Sequence, residues 1–230
     1  MVTLNVRSAM TTMSYHRIKN QVIRSYESPL VKAYCTIRFR IMNMRIIEEV
    51  GQYLPMNGRL LDIGCGFGLF SLYFALESSS REIVGYDLAE NRLDMARKAA
   101  TKLGVSSRTS FCRQDVIGLR ESPHTYQAAY MLDILHHVDP LLHGDIIASI
   151  HDALLPGGIL VLKEIDTRPC WKVWFTWILD VLMNPSQPPH YVGKKTLSSL
   201  LCSIGFEVRT HLLVDILPYP HLLYVCRKAV

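Results

Sequence analysis

Leu60-Leu61-Asp62-Ile63-Gly64-Cys65-Gly66-Phe67-Gly68 is the stretch that decides the fold of this 230-residue chain. A short apolar strand runs directly into three glycines spaced two apart, and the Leu69-Phe-Ser-Leu-Tyr-Phe-Ala-Leu76 run behind them reads as a helix. Glycine lacks a Cβ, so this spacing permits a tight turn, positive φ and close approach of a ligand to the backbone. Strand, glycine turn and helix together form a corner of the kind that binds nucleotides. The dinucleotide fingerprint Gly-x-Gly-x-x-Gly would put its third glycine at position 69, where Leu69 stands, so a nicotinamide cofactor is disfavoured.

Outward from this corner, Glu82-Ile-Val-Gly-Tyr-Asp87 is a second apolar run, closing on a carboxylate about twenty residues beyond the glycines. Asp87 is placed either to accept both hydroxyls of a ribose or to N-cap the helix that begins near Glu90. Residues 109–116, ending in Gln114-Asp115-Val116, read as a third strand; residues 128–132 and 159–165 read as a fourth and fifth. Residues 90–103 and 141–155 have helical spacing, the second stretch closing at Pro156-Gly157-Gly158. This alternation predicts a parallel sheet covered on both faces. Ahead of it, residues 14–53 form a helical extension, clearest as one helix over 31–50, until Pro55, Asn57 and Gly58 break it. Residues 1–54 therefore read as an N-terminal helical extension of a single domain whose main body is residues 55–230. An apolar content of 49% is enough to build its core.

Asp62 standing two residues before Gly64-x-Gly66-x-Gly68, with Asp87 and Asp115 after the next two strands, resembles class I S-adenosylmethionine-dependent methyltransferases of the small-molecule type. The resemblance implies a Rossmann-like, doubly wound α/β fold with a seven-stranded, mostly parallel sheet. Residues 206–210 and 221–227 would form the hairpin that adds its C-terminal antiparallel strand. It implies S-adenosylmethionine as methyl donor, S-adenosylhomocysteine as product, and a cofactor site made of Asp62, Gly64, Cys65, Gly66 and Gly68. Asp87 would then hold the ribose, Leu88 would lie against the adenine, and Gln114, Asp115 and Val116 would surround it, with Asp115 receiving the amino group. Asp133 would line the boundary between cofactor and substrate. Beyond residue 165 the resemblance is weak.

The carboxyl edge of such a sheet is where chemistry is expected, which singles out the residues after strands four and five. After the fourth come Asp133-Ile-Leu-His136-His137-Val-Asp139. Imidazole titrates near neutrality, so His137 is a candidate base, His136 a pocket residue, and packing the alternative for both. After the fifth come Lys163-Glu164-Ile-Asp166-Thr-Arg168. Glu164 and Asp166 alternate onto one face and could orient a substrate hydroxyl, with Glu164 the second catalytic candidate; an Asp166 to Arg168 surface pair is the other reading. Tyr191 is a candidate lid contact. The sulfonium of the donor is already an activated electrophile, so alignment matters more than acid–base machinery. The Asn-Pro-Pro-Tyr or Asp-Pro-Pro-Tyr segment that amino-directed methyltransferases of nucleic acids and glutamine often carry after strand four, and the Pro-Cys of cytosine carbon-5 enzymes, do not occur here, so the resemblance implies an oxygen, carbon or amine of a small metabolite.

Residues 170–183 carry all three tryptophans, with Lys172, Thr176 and Asp180 at intervals of four. They read as a core helix, as a cap in which Trp171 and Trp174 meet a hydrophobic or lipid-like substrate, or as a membrane or dimer contact; the run is too short to span a bilayer. The first 46 residues hold eight Lys or Arg against the single acid Glu27, although the whole chain is only +5. This basic arm could be a solvated face, or it could approach anionic lipid or a carrier-bound substrate; nucleic acid is disfavoured. Polymer methylation by way of that arm, or a cofactor-binding partner protein without turnover, are the competing functions. Six cysteines without Cys-x-x-Cys spacing read as reduced core residues, with no metal site expected. Arg7, Arg17, Lys19 and Arg24 interrupt any leader-like apolar run, so a cytoplasmic location is expected, at most peripheral to a membrane.

Overall fold

The computed structural model describes residues 12–117, 124–168, 174, 177, 189–213 and 220–230. Seven strands form one sheet: β1 (Gly58–Ile63), β2 (Arg81–Asp87), β3 (Thr109–Arg113), β4 (Tyr126–Leu132), β5 (Leu154–Ile165), β6 (Phe206–Leu213) and β7 (His221–Lys228). Their order is β3-β2-β1-β4-β5-β7-β6, and only β7 runs against its neighbours. β1 pairs in parallel with β2 on one side and β4 on the other. The chain thus winds outward in both directions from β1, opening a crevice at the carboxyl ends of β1 and β4. This is the doubly wound, mostly parallel sheet with a C-terminal antiparallel strand that the sequence predicts.

Helices α1 (Thr12–Ser25), α2 (Pro29–Ile41), α3 (Met44–Gln52), α4 (Leu69–Glu77) and α5 (Glu90–Lys102) precede α6 (His143–Ala153) and α7 (Lys194–Ser203). Strand alternation divides the core. Leu60, Ala128, Tyr130 and Val161 pack with Phe39, Ile47, Leu72 and Ala96 from α2–α5. Leu61, Ile63, Met131 and Leu160 pack on the other face with Ile146, Ile150, Leu197 and Leu201 from α6 and α7. Each Val, Leu, Ile, Phe or Met among them, fully buried, contributes about 1.5–3 kcal/mol relative to exposure. Tyr15, Val22, Phe39 and Ile47 of the extension are buried in the same cluster as β1, so α1–α3 share a core with the sheet.

Three boundaries differ from expectation. The helix expected over 31–50 breaks at Met42-Asn43, because the Asn43 side chain accepts from the Arg45 and Ile46 amides and starts a second helix. The third strand stops at Arg113 rather than 116; the Gln114 amide donates to the Asp87 carbonyl at 3.3 Å as the chain leaves the sheet. The helix expected over 141–155 is shorter, and Pro156-Gly157-Gly158 lies inside the long strand β5, beside a register shift between Tyr126 and Ala128. Cys35, Cys65 and Cys226 are buried as expected, but Cys112 and Cys202 are exposed, and Cys170 lies outside the described residues.

Candidate functional site

Where β1 ends, the chain reverses against β2: the Gly64 and Cys65 amides both donate to the Tyr86 carbonyl, at 2.8 and 3.0 Å. Gly64, Gly66 and Gly68 all take the left-handed conformation, with φ of +70°, +53° and +72°. Their reasons differ. A Cβ on Gly68 would come within 2.8 Å of Phe111 and 2.9 Å of Ala96, so this glycine lets α4 pack against β3 and α5. A Cβ on Gly66 would meet nothing nearer than the Asp87 carboxylate at 3.9 Å, so this one leaves free space in the crevice. The Gly66 amide donates to Asp87 Oδ2 at 2.8 Å, while Asp87 Oδ1 accepts from Ala89 at 2.9 Å. Asp87 therefore braces the glycine loop; the N-cap position of α5 is Ala89. A carboxylate has about four lone-pair sites, so two remain after these bonds.

Asp62 is buried beneath the loop and accepts from Ser71 Oγ on α4. Burial pushes its carboxyl up to about 7, and the nearby Asp87 charge adds to this, against the opposing effect of Ser71 and Tyr130. The N-terminal helices close over this corner. Tyr26 donates to the Phe67 carbonyl at 2.7 Å, and the Phe67 ring stands edge-on to Tyr34, with the Arg92 guanidinium over its face.

The facing wall comes from α2 and from the ends of β4, β5 and β7. Asp133 sits at φ +60°, and its carboxylate pairs with Lys163 and, at 3.3 Å, with Arg38 of α2. Burial raises the Asp133 carboxyl, but Lys163 and Arg38 together outweigh it and hold the group well below the usual carboxylate range. Lys163 is fully buried, which lowers its own pKa against the pull of Asp133. His137 lines the crevice with its Nδ1 enclosed and without a hydrogen bond. Burial, then neighbouring His136, pushes it down to about 4, so it is a neutral imidazole at physiological pH. Tyr34, Ile41, Leu132, Ile165 and His221 complete this side.

One crevice thus brings together Asp62, Gly64, Cys65, Gly66, Asp87, Asp133, His136 and His137 from the expected set. Gly68 lies just behind it. Leu88 is 64% exposed, Asp115 is exposed and accepts from the Ile117 amide, and Gln114 and Val116 are half-buried; none of the four is in the crevice lining. Glu164 corrects its expected role: it does not line the crevice. Its two oxygens accept from the Leu135 amide at 2.8 Å and bond His136 Nδ1 at 2.6 Å, so it positions the histidine segment from behind. His143 braces the same segment through the Leu135 and Val138 carbonyls, and Tyr191 packs against the His136 ring. Asp166 also departs from expectation, since its carboxylate accepts from the Thr167 and Lys194 amides outside the crevice. Trp174 is 67% exposed and does not line the crevice, which removes it from the core; Trp171 lies outside the described residues.

Three residues of the far wall had no assigned role from sequence. Lys163 is the only charge within the Ile159-Leu-Val-Leu-Lys-Glu-Ile165 run apart from Glu164, and that interruption was its signal. Arg38 looked like one more cation of the basic arm, and His221 like an ordinary strand start.

Residues 36–211 match a family model described as a methyltransferase domain. A ubiquinone biosynthesis O-methyltransferase of Ruegeria pomeroyi is 33% identical over 124 residues, 53% of this chain and 47% of that protein. A 27-O-demethylrifamycin SV methyltransferase of Amycolatopsis mediterranei is 29% identical over 127 residues, covering 54% and 46%. The matched region thus spans about half the length of these curated relatives. Among solved structures, that of the cyclase SpnF superposes with a TM-score of 0.69 at 19% identity, covering 81% of each chain, a likeness of fold alone.

Proposed function

This chain belongs to the methyltransferase-domain family, and on that premise we propose that it moves a methyl group from S-adenosylmethionine to an oxygen, carbon or amine of a small, hydrophobic or lipid-like molecule. One observation carries the reading: at Gly66 the loop leaves backbone space free beside a carboxylate, Asp87, that is held rigid and keeps lone pairs for a ribose. Asp62, on the same side, suits a cationic neighbour. Leu88, Gln114, Asp115 and Val116 would meet the adenine at the adjoining rim. When bound, the cofactor supplies an activated methyl electrophile. The protein's part is to place the acceptor opposite it, between Asp133 and the two histidines, with Glu164 fixing the His136 ring.

The relatives' names, a ubiquinone biosynthesis O-methyltransferase and a 27-O-demethylrifamycin SV methyltransferase, support a small, apolar acceptor. Exposed Trp174 and Trp177 support an apolar contact near the surface, whether with acceptor or with lipid. Among the described residues no helix is long and apolar enough to cross a membrane. Calorimetry with S-adenosylhomocysteine, followed by incubation with methyl-labelled donor and separated lipid, metabolite, RNA and protein fractions, tests the reading. Saturable binding with label in the lipid or metabolite fraction is expected. Label in RNA or protein would replace the acceptor class, and absence of cofactor binding would overturn the reading entirely.

A further inference from the structure

The two walls of the crevice carry opposite net charge. The glycine-loop wall presents two carboxylates, Asp62 and Asp87, and one cation, Arg92, over the Phe67 ring. The opposite wall presents Arg38, Lys163, His136, His137 and His221, with Asp133 as its carboxylate among the described lining residues. Both cations converge on that one group, Lys163 fully buried and the Arg38 side chain 15% exposed. Glu164 bonds His136 from the rear, outside the crevice lining, so its charge is spent first on that ring. Charge in such an enclosed place is stable when matched by a counter-charge.

We propose that the wall formed by Arg38, Lys163 and the three histidines is an oxyanion site, which takes the methyl acceptor as an ionised phenol or enol rather than as a neutral alcohol or an amine. This rests on the methyltransferase reading and names the substrate class of the same site. The magnitudes choose among the hydroxyls. A nearby cation lowers the pKa of an acid by about 1–3 units, and because the Asp133 carboxylate offsets one of the two cations, the wall as a whole lowers it by about that much. A phenol, starting near the tyrosine value of about 10, is brought to about 7–9, within reach of ionisation near neutrality. An aliphatic alcohol, starting close to the value of water at about 15.7, stays protonated. A protonated amine would meet Arg38 and Lys163 as like charges. Neutral His137 adds no competing charge and can hydrogen-bond the oxygen.

The step balances. The acceptor hydroxyl gives its proton to solvent on binding, and its oxygen, or the conjugated carbon of an enolate, forms the new bond to the methyl carbon. The sulfur–methyl bond breaks with its electron pair going to sulfur. One negative and one positive charge are consumed, leaving a neutral methylated product and a thioether.

4-Nitrophenol tests the site without turnover, because its anion absorbs in the visible and its neutral form does not. The probe is titrated into protein saturated with S-adenosylhomocysteine at a pH about one unit below the probe's own pKa, where the neutral form dominates in solution. Saturable growth of the visible band is expected, with the bound probe's pKa lowered by about 1–3 units. Lys163→Met should abolish the band and Arg38→Met should weaken it, while both keep S-adenosylhomocysteine affinity within about threefold. Arg38 reaches the crevice from α2 and, unlike Lys163, is not fully buried, so its variant answers the question even where Lys163→Met fails to fold. A probe that binds in its neutral form, or does not bind saturably, overturns the oxyanion site. So does displacement of the probe by S-adenosylhomocysteine, since the cofactor's own carboxylate would then occupy the cations. Failure of S-adenosylhomocysteine to bind counts against the methyltransferase reading instead, and titration of the cofactor-free protein still reads the anion site.

Discussion

The two walls of the crevice are built by different means. The glycine-loop wall is made largely of backbone within residues 62–68 plus the carboxylates of Asp62 and Asp87, and its shape follows from positive φ and missing Cβ atoms. The opposite wall is made of side chains from α2, β4, β5 and β7, positions up to 183 residues apart between Arg38 and His221. A wall built from local backbone tolerates almost no change of residue; one built from distant side chains can be altered a piece at a time. The sharpest test of that contrast is within the loop itself. Gly66→Ala should fold, at a cost of about 1–2 kcal/mol for its left-handed φ, and lose at least about a hundredfold in S-adenosylhomocysteine affinity, because its methyl group enters the ligand's space. Gly68→Ala should lose about 2–5 kcal/mol of stability, since the overlap with Phe111 and Ala96 adds to the same backbone cost. Melting curves and calorimetry on the pair read this directly; wild-type affinity in Gly66→Ala would remove Gly66 from the ligand-facing wall.

Asp87→Asn comes next in size. It keeps the shape but supplies an amide where a loop amide and a ribose hydroxyl need acceptors, so cofactor affinity should fall about tenfold to a hundredfold. On the opposite wall Glu164→Gln should leave cofactor affinity unchanged and slow methyl transfer by about tenfold or more, because His136 loses the carboxylate that fixes its tautomer and orientation. Parallel loss of cofactor binding would show that the two walls are not separable.

What could be read from the sequence follows the same division. The strand, glycine turn and Asp87 are legible because each is a short-range statement about backbone. Asn43 shows the limit of periodicity, since apolar spacing continues through 31–50 while one capping side chain splits the helix in two. Glu164 shows the limit of alternation. The pattern correctly separates odd from even positions in β5, but both faces hold ionisable groups. Val161, Lys163 and Ile165 point toward the α4 side and the crevice; Leu160, Leu162 and Glu164 point toward α6. Which face holds the site depends on where α2 and the histidine segment pack, a long-range fact absent from any local spacing. Arg38 was hidden for the same reason.

Asp62 gives a smaller, pH-dependent test of the glycine-loop wall. Its carboxyl titrates near 7 because burial, then Asp87, disfavours the charged form. With its pKa raised on folding, the group contributes stability below the unfolded carboxylate pKa, and that contribution is lost as pH rises through 7. Cofactor binding has the opposite sign, since a cationic ligand needs the ionised form. Affinity should be flat above about pH 7.5 and fall by up to about tenfold for each pH unit below about 7, with a proton released on binding. Calorimetry in two buffers of different ionisation enthalpy measures that proton. Asp62→Asn should bind more weakly at high pH and show no slope; a slope that persists belongs to another group.

Trp174→Ala should give the smallest effect on the protein and is confined to the acceptor side. The side chain is 67% exposed, so its removal should change stability by no more than about 0.5 kcal/mol and leave S-adenosylhomocysteine affinity unchanged. If this tryptophan meets an apolar acceptor or a lipid surface, the same change should weaken acceptor binding or vesicle association by about threefold to tenfold, the worth of one partly buried aromatic ring. Melting temperature, cofactor calorimetry and sedimentation with anionic vesicles, run on one preparation, separate the outcomes. Unfolding would return the ring to the core despite its exposure, and no change in any of the three would leave Trp174 as surface without a ligand.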